Sequence, residues 1–363
     1  MNEKYVNRLT DELTKEGMDA FLVCPGEEFK FLTGINPMLC ERFQGLFLKK
    51  NGELFYICNL LYEEELKSAL PDSIKIYSWF DGEKMTDVVH EALSEQGLLG
   101  GKIGVNSTAQ GFNLLEISAN MEISFVNGKP LLERIRMIKD SEELDYLRYS
   151  AGIADKVFEK VLDIIRPGIS EEEIQSFLMD NMVLLGGSTP ECIVGCGANS
   201  SYPHYSDNRG VVGERDIVLL DYGCTYKGLY SDMSRTVFVG EPEDRIRDCY
   251  ELVLRSNEAA EAMVEEGAYV PDIDKKAREV LDEKGYAHTL INRLGHGIGY
   301  MVHEAPDIKQ SNKLKLQSGM AFSIEPGIYI AGDFGIRIED IMIVNEEGRG
   351  ERLNKAPKEL IVI

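Results

Sequence analysis

The sequence predicts an α/β protein of two domains. Three observations lead there. The chain has 363 residues, too many for one ordinary core. Its first 125 or so residues alternate helical and strand patterns. After Asn127-Gly128-Lys129-Pro130 the character changes to longer amphipathic helices followed by apolar strands. The expected division is 1–127 and 131–363, with the Gly/Pro segment as linker.

In the first domain a polar helix runs through Lys15, and a strand follows at Ala20-Phe21-Leu22-Val23. Leu46-Phe47-Leu48 and Leu54-Phe55-Tyr56-Ile57 flank Asn51-Gly52, a strong turn signal, so they are read as a hairpin. Strands near Ile74-Lys75-Ile76 and Ile103-Gly104-Val105 complete a small α/β domain on a largely open sheet. His90 is its only histidine, and nothing in it looks catalytic.

In the second domain Asp140, with Glu143 three residues on, caps a helix expected to run toward Ile165, and Pro167-Gly168 ends it. Ser170 followed by Glu173 is a capping box for the next helix. Segments 166–223 and 266–327 then share an order: a Gly-containing turn, a helix, and a later apolar strand. Those strands run Val218-Leu219-Leu220-Asp221-Tyr222-Gly223 and Ala321-Phe322-Ser323-Ile324-Glu325-Pro326-Gly327. Each half is expected to deliver a carboxylate at a strand end before a glycine, as in an internally duplicated unit with both carboxylates at its pseudo-axis.

Composition narrows the function classes. Sixty-two acidic against thirty-nine basic residues give a formal charge of -23 without a basic patch, which argues against nucleic acid and anionic membranes as partners. No apolar run approaches the ~18 residues of a membrane span, and the N-terminus lacks a signal-peptide core, so a cytoplasmic protein is expected. Seven irregularly spaced cysteines suit a reducing compartment. Cys192 and Cys196, the closest pair, have no second pair nearby and are read as small buried hydrophobes.

The chemistry lies between 204 and 339. Asp221 and Asp232 sit across a Gly-containing turn, where a hairpin brings both side chains to one end of a sheet. Gly295-His296-Gly297-Ile298-Gly299 lacks the context of a phosphate loop, and its first two glycines are read as clearing space for a ligand at the imidazole. Glu325 and Glu339 lie on apolar strand patterns, where an unpaired carboxylate is expensive to bury; Arg337 is the salt-bridge candidate for one of them. Two aspartates, one histidine and two glutamates form an oxygen-rich set suited to two divalent ions sharing bridging carboxylates. Two ions roughly 3.5–4 Å apart can hold a bridging water, lower its pKa and polarise a carbonyl.

The set His204, Asp221, Asp232, His296, His303, Glu325, Glu339 resembles, in type, order and approximate spacing, the metallopeptidases with the pita-bread fold, a group that includes methionine aminopeptidases, proline aminopeptidases and prolidases. The first 125 residues look like the extra domain of the prolidase and creatinase branch. The resemblance implies a three-layer N-terminal domain and a C-terminal pita-bread domain with a curved, mainly antiparallel sheet. It implies Asp221, Asp232, His296, Glu325 and Glu339 as ligands of two divalent ions, manganese first, with cobalt, zinc or iron suiting such ligands too. Glu325 would also shuttle a proton, and His204 and His303 would stabilise the tetrahedral intermediate. Arg337 would stand in or behind the substrate site. The implied reaction is hydrolysis of Xaa-Pro bonds in small peptides by a homodimer.

One departure bears on specificity. Some prolidases carry an arginine four residues beyond the second histidine to hold the dipeptide carboxylate, whereas Asp307 stands there in this chain. An acid would repel that carboxylate, so an aminopeptidase accepting longer peptides gains weight unless another cation does the holding. A creatinase-like or other non-peptide amidohydrolase or lyase is the alternative within the fold. A non-catalytic peptide-binding module is the alternative outside enzymes, although it predicts damage to the ligand set, and none is seen.

Overall fold

The computed structural model describes residues 1–363, and contacts divide them into two units, Met1–Arg136 and Met137–Ile363. The first unit contains helices α1 (Glu3–Lys15), α2 (Glu27–Thr33), α3 (Glu63–Ala69), α4 (Met85–Glu95), α5 (Gly111–Asn120) and α6 (Lys129–Met137). Its strands are β1 (Ala20–Val23), β2 (Gly45–Lys49), β3 (Leu54–Asn59), β4 (Lys75–Trp79), β5 (Lys102–Val105) and β6 (Ser124–Asn127).

The six strands form one mixed sheet in the order β4-β3-β2-β1-β5-β6, with the expected β2–β3 hairpin in antiparallel register. Alternate residues of a strand face opposite ways. Ala20, Leu22, Phe47, Phe55 and Ile57 therefore pack with Val89, Ala92 and Leu93 of α4, while Tyr56 meets Phe29 of α2 on the other face. The Asn127–Pro130 segment is not an open linker. Helix α6 starts at Lys129, and Arg134 ties it to α1 through Glu12 (2.6 Å) and Glu16 (2.8 Å).

The second unit has helices α7 (Ser141–Val161), α8 (Glu171–Leu184), α9 (Asp244–Glu261) and α10 (Val270–Asp282). Its strands are β7 (Ser188–Cys196), β8 (Asp216–Tyr226), β9 (Leu229–Tyr230), β10 (Met233–Val239), β11 (Gly295–Gly297), β12 (Glu304–Ile308), β13 (Ala321–Ile324), β14 (Gly327–Ile330), β15 (Phe334–Arg337), β16 (Asp340–Val344) and β17 (Gly350–Arg352). Both capping boxes are formed, at Asp140/Glu143 and Ser170/Glu173. Helix α7 stops at Val161, short of Ile165, because the chain tightens there into turns such as Ile164 N–H to Val161 O.

The two halves repeat one order, a helix pair followed by an antiparallel sheet. Helices α7 and α8 share a core with β7, β8 and β10. Helices α9 and α10 share another with the strands from β12 to β16. The sheets run β10-β8-β7 and β12-β11-β13-β16-β17, with β14-β15 as a separate hairpin. An antiparallel bridge, Ser234 to Glu339, joins the halves. The expected symmetry of the carboxylates holds on one side only. Glu325 follows β13 directly, but Asp221 is mid-strand, because β8 continues to Tyr226 to pair with β9.

No helix is long and apolar enough to cross a membrane. All seven cysteines are free; Cys196 is buried and Cys192 half-buried.

Candidate metal centre

The Ser234–Glu339 junction is where the charged residues converge. A cavity of about 940 Å³ is lined by His204, Asp221, Asp232, His296, His303, Glu325, Arg337 and Glu339, among others. Asp221 projects from the middle of β8, and its register partner on β10 is Ser234. Asp232 immediately precedes β10, and His296 is the centre of the three-residue strand β11. The glycines beside His296 serve the sheet and not a ligand. A Cβ at Gly295 would collide with the Ser323 carbonyl, and one at Gly297 with the backbone of Ala305. Both neighbouring strands thus pass close to the backbone that carries the imidazole.

Ligand atoms of Asp232, His296 and Glu339 all lie within 4.8 Å of one another. His296 Nε2 is 3.6 Å from Asp232 Oδ2, 3.4 Å from Glu325 Oε1 and 3.9 Å from Glu339 Oε1. Asp221 stands beside this group, near enough to raise the pKa of Asp232, and is paired with Arg337. Arg337 is thus a salt-bridge former, though its partner is Asp221 and not a glutamate. Its Nε donates to Ser234 Oγ (2.8 Å) and its Nη1 to Tyr329 OH (2.8 Å) and Pro203 O (3.3 Å).

Electrostatics mark the cluster as incomplete without a cation. Burial, then Glu339, Asp221 and Glu325, push the Asp232 carboxyl well above its usual range. Burial and the neighbouring acids do the same to Glu339, and Glu325 is pushed up to about 7. Burial, followed by His303 and Arg293, holds His296 well below the usual imidazole value, which leaves it neutral and able to ligate. Glu339 Oε2 accepts from Ser234 Oγ at 2.6 Å, but its Oε1 is buried with no hydrogen-bond partner. An orphaned carboxylate oxygen facing three other donors fits a divalent ion.

The remaining residues frame the opening. The His303 ring stands edge-on to His296 with centroids 4.3 Å apart, and desolvation, Arg293 and His204 lower its pKa. His204 is exposed, in the loop after a short 3-10 turn at Gly197–Ser201.

Residues 145–346, more than half of the chain, match metallopeptidase family M24. The chain belongs to that family. Residues 6–138 match the creatinase/prolidase N-terminal domain. The probable dipeptidase PepE of Mycobacterium bovis is 34% identical over 96% of this chain and 92% of its own length. For the Xaa-Pro dipeptidase of Lactobacillus delbrueckii subsp. lactis the values are 32%, 94% and 95%. The crystal structure of a prolidase from Thermococcus sibiricus has a TM-score of 0.92 at 32% identity, covering 100% of this chain and 99% of that one. As an M24 metallopeptidase, the protein is an enzyme that uses divalent metal ions.

Several residues of this M24 site escaped the sequence reading. Ser234 holds Glu339, and Ser323 holds the His296 backbone N–H (3.1 Å) and Glu325 (3.3 Å). Ser234 was findable, because it lies two residues beyond Asp232, the spacing that keeps side chains on one side of an extended chain. Arg293 and Lys309 also line the cavity. Both pair with Asp307, Arg293 Nη1 at 3.0 Å. No local pattern announces that triad.

Proposed function

We propose that this metallopeptidase hydrolyses the bond before proline in Xaa-Pro dipeptides, with Asp221, Asp232, His296, Glu325 and Glu339 holding two divalent ions, manganese by preference. The observation that carries the ligand assignment is a cavity wall with three buried or nearly buried acids, Asp232, Glu325 and Glu339, none paired with a lysine or arginine. Bound divalent ions supply Lewis acidity and an activated water for amide hydrolysis.

The protein's own groups do the rest. Glu325, held by Ser323 and by Asn292 Nδ2 (3.4 Å), takes a proton from the attacking water and passes it to the proline nitrogen as the C–N bond breaks. His303 and His204 donate hydrogen bonds to the carbonyl oxygen as it gains charge and orient the scissile amide. Arg337 keeps Asp221 in place through its ion pair and fixes the Pro203 carbonyl beside His204.

Dipeptides are favoured because neighbouring cations more than offset the charge of Asp307. Two cations, Arg293 and Lys309, share that one carboxylate, and both line the cavity, which Asp307 does not. The surplus positive charge suits a dipeptide's C-terminal carboxylate. Seven free cysteines support a cytoplasmic location; a homodimer is carried over from the family.

The test is hydrolysis of Ala-Pro, Ala-Pro-Ala and Met-Ala-Ser by chelator-stripped enzyme, with and without manganese. Manganese-dependent cleavage of Ala-Pro above all is expected, and R293M should raise KM for Ala-Pro more than for Ala-Pro-Ala. Faster cleavage of the tripeptide would replace the dipeptidase reading with an aminopeptidase. Failure on all three would turn the search to non-peptide amides.

A further inference from the structure

Glu171 opens helix α8 and is wholly buried, yet no basic side chain meets it. Its carboxylate is used up by one loop. Oε1 accepts from Cys196 N–H (2.8 Å) and Asn199 Nδ2 (3.0 Å), and Oε2 accepts from Gly210 N–H (2.6 Å). Its own N–H donates to the Gly210 carbonyl at 3.0 Å. Cys196 is where the loop leaves β7, and Gly210 is where the chain returns toward β8. One carboxylate therefore clasps both ends of the segment that carries His204. Gly210 is part of the fit, since a Cβ there would press on the Glu171 carboxyl carbon at 2.5 Å.

The loop is pinned again on its far side. Gly335 N–H donates to Ser200 Oγ (2.8 Å), Gly332 N–H to Ser201 Oγ (3.3 Å), and Arg337 to the Pro203 carbonyl. Within the loop, Asn199 Nδ2 also reaches Tyr205 OH at 2.9 Å. Between these anchors Tyr202 and His204 are exposed, and Tyr202 stacks on Tyr205 of the same loop with ring centroids 6.3 Å apart. Burying a carboxylate among neutral donors is costly unless every bond is made, so the order of the loop and the burial of Glu171 depend on each other.

We propose that Glu171 is a positioning residue for His204, a clasp whose carboxylate sets where that imidazole stands over the cavity. The role rests on His204 acting in turnover, as proposed above. Glu171→Gln keeps the size but turns an amide N–H₂ toward a backbone N–H, so one end of the clasp must open.

The experiment measures metal content, kcat, KM and amide hydrogen exchange for E171Q, H204A and the double variant, using whichever peptide the wild type cleaves. Expected are unchanged metal content, kcat lower by on the order of tenfold to a hundredfold, and faster exchange confined to 197–210. In the H204A background E171Q should cost no further kcat, because the residue through which it acts is gone. An equal loss of kcat in both backgrounds, or no loss in either, overturns the proposal. Unchanged exchange in 197–210 overturns it whatever the substrate proves to be, which separates its failure from that of the peptidase reading. Should E171Q fail to fold, N199A removes one of the three bonds and must show the same non-additivity on a smaller scale.

Discussion

Glu339 and Asp340 are consecutive, both buried, and opposite in circumstance. Asp340 turns into a network of resident cations: Arg235 Nη2 is 2.6 Å away and Lys358 Nζ 3.4 Å. Although burial works against it, Arg235 and Lys358 hold its pKa below the usual range. Glu339 turns into the cavity, where it finds Ser234, a neutral histidine and more acids, and its pKa is driven well up. Each leaves one oxygen without a hydrogen-bond partner, but that of Asp340 has a lysine ammonium within ion-pair distance, whereas that of Glu339 has neither lysine nor arginine. The difference teaches that a buried carboxylate becomes a candidate ligand when the protein supplies no cation for it.

The largest effect expected from this contrast is at Glu339. E339A should abolish turnover and lose metal from one or both positions, read by elemental analysis beside Ala-Pro hydrolysis. Full activity with two ions per chain would end the ligand assignment. Next comes D340N, which leaves Arg235 buried without its carboxylate and should lower the unfolding free energy by about 3–5 kcal/mol. Arg235 also donates to the carbonyls of Ser234, Glu339, Ala356 and Pro357, so the loss falls on the frame behind the site. Urea unfolding checks it, and the folded fraction should still bind metal. Metal loss without a stability loss would erase the distinction between the two neighbours.

A smaller effect is expected at His303, which touches the His296 ring but adds no carboxylate to the cluster. H303A should keep its metal while kcat falls by about two decades, as for the loss of an electrostatic stabiliser. If metal content falls with kcat, His303 belongs to the ion-holding group.

Much of this contrast was legible in the sequence, and the illegible part has a physical reason. Local signals were reliable where local energetics decide. The Asn51-Gly52 hairpin and the Asp140/Glu143 and Ser170/Glu173 boxes formed as read. The eight candidate residues were visible as types and spacings, and all eight line one cavity. What stayed hidden were the partners. That Arg337 takes Asp221, that Arg235 takes Asp340, and that Arg293 and Lys309 share Asp307 depend on which strands meet at the Ser234–Glu339 bridge, a non-local fact. The role of Glu171 was not legible, because its partners lie 25 to 39 residues away. Asn127–Pro130 was misread as a linker because α6 is secured by charges on α1, far earlier in the chain.

The pH dependence of stability tests both regions at once. Each holds a carboxyl pushed up to about 7: Glu325 in the cavity and Glu261 in the network, where burial and Asp340 outweigh Lys358 at 2.8 Å. A raised carboxyl pKa means that the native state binds a proton which the unfolded chain, near 4.5, has already lost. Such a group favours folding at low pH, and its contribution is lost as pH rises from about 4.5 through about 7, by at most about 1.4 kcal/mol per pH unit for each proton. In metal-free protein both groups contribute to this decline. Metal should cancel the share of Glu325 and its neighbouring acids and leave that of Glu261, which E261Q then removes. Unfolding free energies between pH 5 and 8, measured with and without manganese for the wild type and E261Q, separate the two. If metal flattens the profile completely, Glu261 has its cations after all. If metal leaves it unchanged, the cavity acids were never waiting for an ion.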